Sequence, residues 1–445
     1  MDNELREKVI ECVDEEILID LLKGMLRIPS FQGEETDLAK YIANWMEKRG
    51  IEVELQEVEE DRLQPIGRLR GTGKGPVLVY NGHIDIDAIF EGSKKNPFEP
   101  FILEIDGERR VYCQGLTNMK GGVAAFLVAG DSIKRASAKH KIELKGDLIL
   151  TPVVGETHGG MGTNHLLTTY FPKHGIWPDM AVVTEPSGHK LITSHVGNVG
   201  IQINVYGESD HVSRKEQTVD ALPKMIKVVK AIEEKFKFTY EHDPNFPEGP
   251  KFLISTMVCG RRRIMMKAPK HYFDLRSGAF NADQGIIVVD TRTVCGQTPK
   301  SVKADFEKVL IDLKKEDPQL DYEIKTPVDK KFETHRIHGL YYDVPTKEDV
   351  VQTLRQAFKH VWGKEPDVIG NDIPPKYPYN DVGYFWEAGI PGVMHGPGRE
   401  QKEIPKTFSD MLHGSPPKYI TLEEIIGCTK VLTLTALDVL TRTSK

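Results

Sequence analysis

The feature that most constrains this chain is a set of short apolar runs, each cut off by Gly or Pro and each ending in residues able to bind a metal or move a proton. VLVYNGHID, GDLILTPVV, DMAVVTEP and GIPGVMHGP are rich in Val and Ile and lack polar alternation. Such runs read as strands buried on both faces, the habit of parallel sheets. GGVAAFLVAGDSIKRA and the stretch from Lys347 to Val361 carry apolar residues at three- and four-residue spacing and read as helices between them. The alternation predicts an α/β fold with a mostly parallel mixed sheet flanked by helices. Residues 4–50 read as two helices, the second stopped by Gly50.

The middle of the chain follows a different order. VGIQINVYG, KFLISTMVCG, QGIIVVDTRTV and LDYEIKT read as strands, and TVDALPKMIKVVKAIEEKF and SVKADFEKVLIDLKK as amphipathic helices. Strand–helix–strand–strand–helix–strand is a ferredoxin-like α+β order. It predicts an inserted domain over 195–328 between two parts of a catalytic domain, 1–194 and 329–445. A chain of 445 residues is too long for one ordinary core, which agrees with two domains.

A net charge of −7 opposes general binding to nucleic acid or to an anionic membrane. No run reaches the roughly 18 apolar residues of a membrane span. The acidic, amphipathic start MDNELREKVIECVDEEILIDLL lacks the basic and apolar regions of a secretory signal. Five scattered cysteines without a C-x-x-C pair suit reduced, buried thiols and a cytoplasmic setting.

In open α/β sheets, sites form beyond the carboxyl ends of strands. His83, Asp85 and Asp87 alternate onto one face after the first run; His83 is a possible metal ligand and Asp85 its orienting partner, although a structural histidine has the same signature. Asn118 precedes a helix in GLTNMKGG and fits either a ligand or an N-cap. Glu156, in VGETHGGMGT, fits a general base or a solvated turn. Glu185 ends its strand as a ligand or an ion-pair partner. His158, His395 and His413 are loop or strand-end histidines open to ligand, substrate or purely structural roles.

Taken in order, these motifs resemble the M20 family of metallopeptidases and amidohydrolases along nearly the whole chain. Gly82, His83 and Asp85 match its Gly-His-x-Asp; Gly115 and Asn118 to Gly122 match its Gly-x-x-Asp-Met-Lys-Gly-Gly except at the Asp. Glu156 and Thr157 stand where the family has a Glu pair, Glu185 where it has Glu-Pro, and Gly396 to Gly398 with His413 close the set. Asp210-His211-Val212-Ser213 matches the lid segment whose His reaches a partner subunit's site. Asp290 and Arg292 match the lid's Asp-x-Arg.

The resemblance implies a metal-dependent hydrolase of C–N bonds, with His83, Glu185, Asn118 and His413 near the metal. It makes Glu156 the base, with Asp85 orienting and His211 supplied by a second copy of a homodimer or higher homo-oligomer. Arg292, with some of Arg261, Arg262 and Arg263, is expected to hold the carboxylate of a small substrate, and His158 and His395 to touch it. Lys120 and Tyr379-Asn380-Asp381 are supporting candidates. Asn118 and Thr157 remove two anions from a site that holds two metal ions in the family. Fewer anions leave the repulsion between two dications less compensated, so one divalent ion, Mn²⁺, Zn²⁺ or Co²⁺, is expected. An N-acyl amino acid amide is the leading substrate class. The alternatives are an aminohydrolase acting on an aromatic amine such as 5-nitroanthranilate, a dipeptidase or carboxypeptidase, and a binding protein without activity.

Overall fold

The computed structural model describes residues 3–86, 96–157, 159–264, 271–273, 278–326, 338–371, 380–398 and 419–443. The chain forms two compact units, Met1–His195 with Tyr342–Lys445, and Val196–Tyr341. The second runs beyond the expected boundary at 328 because His338–Gly339 pairs with the strand Gly197–Tyr206.

The first unit is built on a nine-stranded mixed sheet. Its centre is parallel: Asp147–Val153 pairs with Val77–His83, which pairs with Met180–Pro186, which pairs with Gly392–Gly396. These are the four runs singled out above. Asp147–Val153 and Gly392–Gly396 are buried at every position, as expected of strands covered on both faces. Antiparallel strands flank the parallel core, Glu52–Glu59 and Arg62–Leu69 on one side, Lys190–His195 and Tyr342–Asp343 on the other.

Helices Gly121–His140, Asp349–Trp362 and Leu422–Leu440 pack on the central strands. The last is buried over nearly its whole length and starts in a capping box, Thr421 and Glu424 each satisfying the other's backbone N–H. Close packing of helix on strand explains Gly122: a Cβ there would lie 2.1 Å from the Thr184 carbonyl oxygen. The N-terminal stretch holds three helices rather than two, Asn3–Ile10, Glu15–Leu26 and Thr36–Lys48. Asp14 caps the second by accepting from Ile17 N, so the apolar periodicity is interrupted after Ile10.

The second unit realises the inserted βαββαβ order. Gly197–Tyr206, Lys251–Gly260, Gln284–Thr293 and Asp321–Lys325 form an antiparallel sheet with the first strand between the third and fourth. Helices Ala221–Lys235 and Pro299–Glu316 bury Val228, Ile232, Val302, Phe306 and Leu310 against Ile201, Ile203, Ile287 and Val289. Phe236 and Phe306 stack at 4.0 Å within that core.

Among the described residues no helix is long and apolar enough to cross a membrane. The cysteines are free, as expected, but only Cys12 and Cys428 are buried; Cys113 and Cys259 are half-buried and Cys295 is exposed, in the turn that follows the last residues of Gln284–Thr293.

Candidate metal centre

The parallel strands deliver their polar ends to one place. His83 ends Val77–His83, Glu185 lies near the end of Met180–Pro186, and Glu156 follows Asp147–Val153. One ligand atom from each of these three residues lies within 4.8 Å of the others, and all three side chains are buried. Asn118 comes from the turn before helix Gly121–His140.

The imidazole shows what this cluster suits. His83 Nδ1 lies 2.9 Å from the Asp85 carbonyl oxygen, which can only accept, so Nδ1 carries the proton of the neutral ring. The Nε2 lone pair then faces Asn118 Oδ1 at 3.0 Å, Glu185 Oε1 at 3.2 Å and Glu156 Oε2 at 3.6 Å. A lone pair opposed by three oxygens is repulsive unless a positive charge sits between them. A divalent ion supplies that charge, and a carbonyl holding the far nitrogen is the usual support of a metal-binding imidazole. Without an ion a proton does the same work: burial would depress the His83 pKa, but Glu185 and Glu156 raise it well above its ordinary value. The residues present therefore fit a divalent cation.

Asp85 is fully buried and serves the loop more than the imidazole. Its carboxylate stands 3.6 Å from His83 Nδ1, but accepts from Glu156 N at 3.1 Å, Thr157 N at 2.9 Å and Thr157 Oγ1 at 2.5 Å. Burial opposes its ionisation; His83 and the Thr157 donors outweigh it and hold the carboxyl well below the usual range. Thr157, at the position of the family's second Glu, thus turns its hydroxyl onto Asp85.

Glu156 is buried, and desolvation together with Glu185, Asp381 and Asp85 pushes its pKa well up, against the pull of His83. Asp381, one of the supporting candidates, belongs to this charge cluster. Its Oδ2 accepts from Thr163 Oγ1 at 2.6 Å, and Thr163 accepts from Asn81 Nδ2 at 2.9 Å, two residues before His83. Burial first, then Glu185 and Asp85, carry Asp381 up to about 7 despite Thr163 and His83. Neither Asn81 nor Thr163 has a sequence signal: their polar side chains sit among apolar runs, and only packing shows their partners.

Lys120 is fully buried and donates to the carbonyls of Met25 at 3.2 Å and Ile28 at 2.8 Å, tying the end of helix Glu15–Leu26 to the turn that carries Asn118. Desolvation pushes it down to about 7, with the neighbouring Cys113 opposing. His395 is buried; its Nδ1 meets the Lys190 carbonyl at 3.1 Å and its ring stands edge-on to Phe358. Burial takes it down to about 4, the Lys190 carbonyl resisting and His189 adding to the shift. His158, His413, Tyr379 and Asp87 lie outside the described residues.

In the second unit His211 is exposed at the start of a short turn. Ser213 N donates to His211 Nδ1 at 3.2 Å, so in the neutral ring the proton is on Nε2. Its ring stands edge-on to Phe280 at 5.7 Å, and Arg261 lies over the Phe280 ring at 4.3 Å. Arg292 binds Asp290 through Nη1 at 2.8 Å, and Asp290 also accepts from Asn198 at 2.6 Å. Arg262 donates to Gln284 Oε1 at 2.7 Å.

A parallel sheet whose strand ends gather an imidazole, two carboxylates and an amide oxygen within reach of one another suits a metal-dependent hydrolase. The chain belongs to Peptidase family M20/M25/M40, whose model matches residues 80–438. It is similar to the N-formyl-4-amino-5-aminomethyl-2-methylpyrimidine deformylase of Halalkalibacterium halodurans, 25% identical over 386 residues and 82% of each chain. It is 31% identical to an acetylornithine deacetylase of Aliivibrio fischeri over 207 residues, 46% of this chain and 51% of the relative. In fold it matches the di-peptidase Dug1p of Saccharomyces cerevisiae with a TM-score of 0.70 over the whole of both chains at 14% identity.

Proposed function

We infer that this chain is a mononuclear N-deacylase or N-deformylase, cleaving the amide of a small substrate that bears a carboxylate. The observation that carries the reading is that, among the described residues, one imidazole, that of His83, faces Glu185, Glu156 and Asn118. Thr157, spent on Asp85, stands where a further carboxylate would be. His83 and Glu185, with the Asn118 oxygen, would hold one divalent ion. When bound, such an ion acidifies water and polarises the scissile carbonyl. Glu156 accepts the proton of the attacking water and passes it to the departing nitrogen. Asp85 keeps Glu156 in place by binding its backbone.

His211 of a second copy donates its Nε2–H to the oxygen on which negative charge develops. Exposed Leu253, Met257 and Val258, on the edge strand Lys251–Gly260, favour pairing of copies through this unit. Arg292 has no partner for Nε or Nη2 among the described residues, which leaves that side of the guanidinium open to a substrate carboxylate. Similarity to a deformylase over 82% of each chain supports an N-acyl substrate.

One observation favours a second reading. With two anionic ligands replaced, a substrate amine and carboxylate could complete the coordination, as an aromatic aminohydrolase would require. The protein loaded with Mn²⁺ or Zn²⁺ should be assayed for bound metal per chain and on N-formyl and N-acetyl amino acids, dipeptides and substituted aminobenzoates. One ion per chain and a new amine from the N-acyl substrates are expected. Ammonia from the aminobenzoates would support the second reading, and no turnover of any of these compounds would refute both.

A further inference from the structure

We propose that Tyr384 and Asp381, more than two hundred residues beyond Glu156, are positioning residues that clasp the glycine turn behind it. The inference rests on Glu156 being the base. In front, Glu156 is anchored by Asp85 through two backbone N–H groups and the Thr157 hydroxyl. Behind it the chain reverses through Gly159 and Gly160, with φ of 108° and 59°, and both of their N–H groups return to the Glu156 carbonyl, at 3.0 and 3.4 Å. Left-handed backbone is easy for glycine and equally easy for glycine to leave, so such a turn holds its shape only if something external fixes it.

The short helix Val382–Glu387, with Asp381 at its N-cap, supplies that. Tyr384 donates its hydroxyl to the Gly159 carbonyl at 2.6 Å. The ring and the Asp381 carboxylate lie directly on Gly160, where a Cβ would come within 2.2 Å of Tyr384 Cε2 and 2.9 Å of Asp381 Oδ1. Asp381 is itself fixed through Thr163 to Asn81, on the strand that presents His83. One hydrogen-bonded path therefore joins the strand of the imidazole to the far side of the base-bearing turn. The base is gripped from both sides, and the two grips are tied to the same strand.

The test uses the full chain loaded with Mn²⁺ and the N-acyl substrate it turns over fastest, with Y384F, D381N, E156Q and the double variant Y384F/E156Q. Y384F should lower kcat about tenfold with KM and Mn²⁺ affinity within twofold, a displacement effect on the reacting group alone. In the E156Q background the same substitution should change kcat less than twofold, because no base remains to be misplaced. Hydrogen exchange in the peptide covering residues 155–162 should quicken in Y384F and in D381N, since the Gly159 and Gly160 amides lose their support. Wild-type kcat in Y384F would overturn the proposal, as would an equal factor in both backgrounds, the outcome of a merely stabilising contact. A wild-type chain inert towards every C–N substrate would instead refute the hydrolase reading and leave no base to position.

Discussion

Replacing Asp85 by Asn tests the centre at its most connected point. The two side chains have the same shape, but Asp85 accepts from three donors, Glu156 N, Thr157 N and Thr157 Oγ1, with no exposed surface. An Asn offers one acceptor oxygen, and its NH₂ must face at least one of those donors. Loss of charge assistance weakens each remaining bond by about 1 kcal/mol, and a stranded buried donor costs about 1–3 kcal/mol. The sum is about 3–5 kcal/mol, or on the order of 5–10 °C in the melting temperature of a unit this large. The backbone carbonyl that holds His83 is retained, but it is anchored less firmly, so Mn²⁺ should bind about 10–100-fold more weakly.

The pH dependence has a definite sign. The folded pKa of Asp85 is depressed, so the unfolded chain binds the proton more readily. Its stabilisation is complete above the ordinary aspartate range and fades as the pH falls below about 4. The gap between wild type and D85N should therefore close on acidification. Thermal melts of the metal-free proteins from pH 7 to 3 and Mn²⁺ titration calorimetry measure both effects. A variant melting within a degree of wild type at pH 7, or binding Mn²⁺ with equal affinity, would refute the reasoning.

Four further outcomes follow from the same geometry. E156Q should lose about 10²–10⁴ in kcat while still binding one Mn²⁺, read by steady-state kinetics and metal analysis. H211A should lose about 10²–10³ in kcat with metal content unchanged; mixing it with E156Q should restore part of the activity if the histidine acts across subunits. N118D/T157E restores two anions and should raise bound Mn²⁺ from one towards two per chain by metal analysis. His395 is buried and neutral with a depressed pKa, so protonation of the unfolded chain should remove about 3 kcal/mol of stability between pH 6.5 and 4. H395N should flatten that part of the stability profile, measured by urea unfolding across the same pH range.

Legibility in the sequence divides along physical lines. The four Val- and Ile-rich runs announced a buried parallel sheet because strands covered on both faces cannot alternate, and the residue after a buried run must project toward the crevice at the strand ends. His83, Glu156 and Glu185 were placed by that logic, and the inserted βαββαβ unit by its change of period. Side-chain direction is another matter. Nothing local tells whether Thr157 faces an ion or the Asp85 carboxylate, or whether Asp85 binds an imidazole more closely with its side chain or with its own carbonyl. His395, at the end of a matched strand, turns instead to Lys190 and Phe358.

The amino-acid order alone thus determined the sheet, the inserted unit and which strand ends carry chemistry, since burial and periodicity are properties of consecutive residues. Only the tertiary structure decided that Asp381 and Tyr384 stand behind Glu156, and that Asn81 and Thr163 link them to the strand of His83. A buried polar group takes its partner from whatever the fold brings within about 3 Å, and that partner can lie anywhere along the chain.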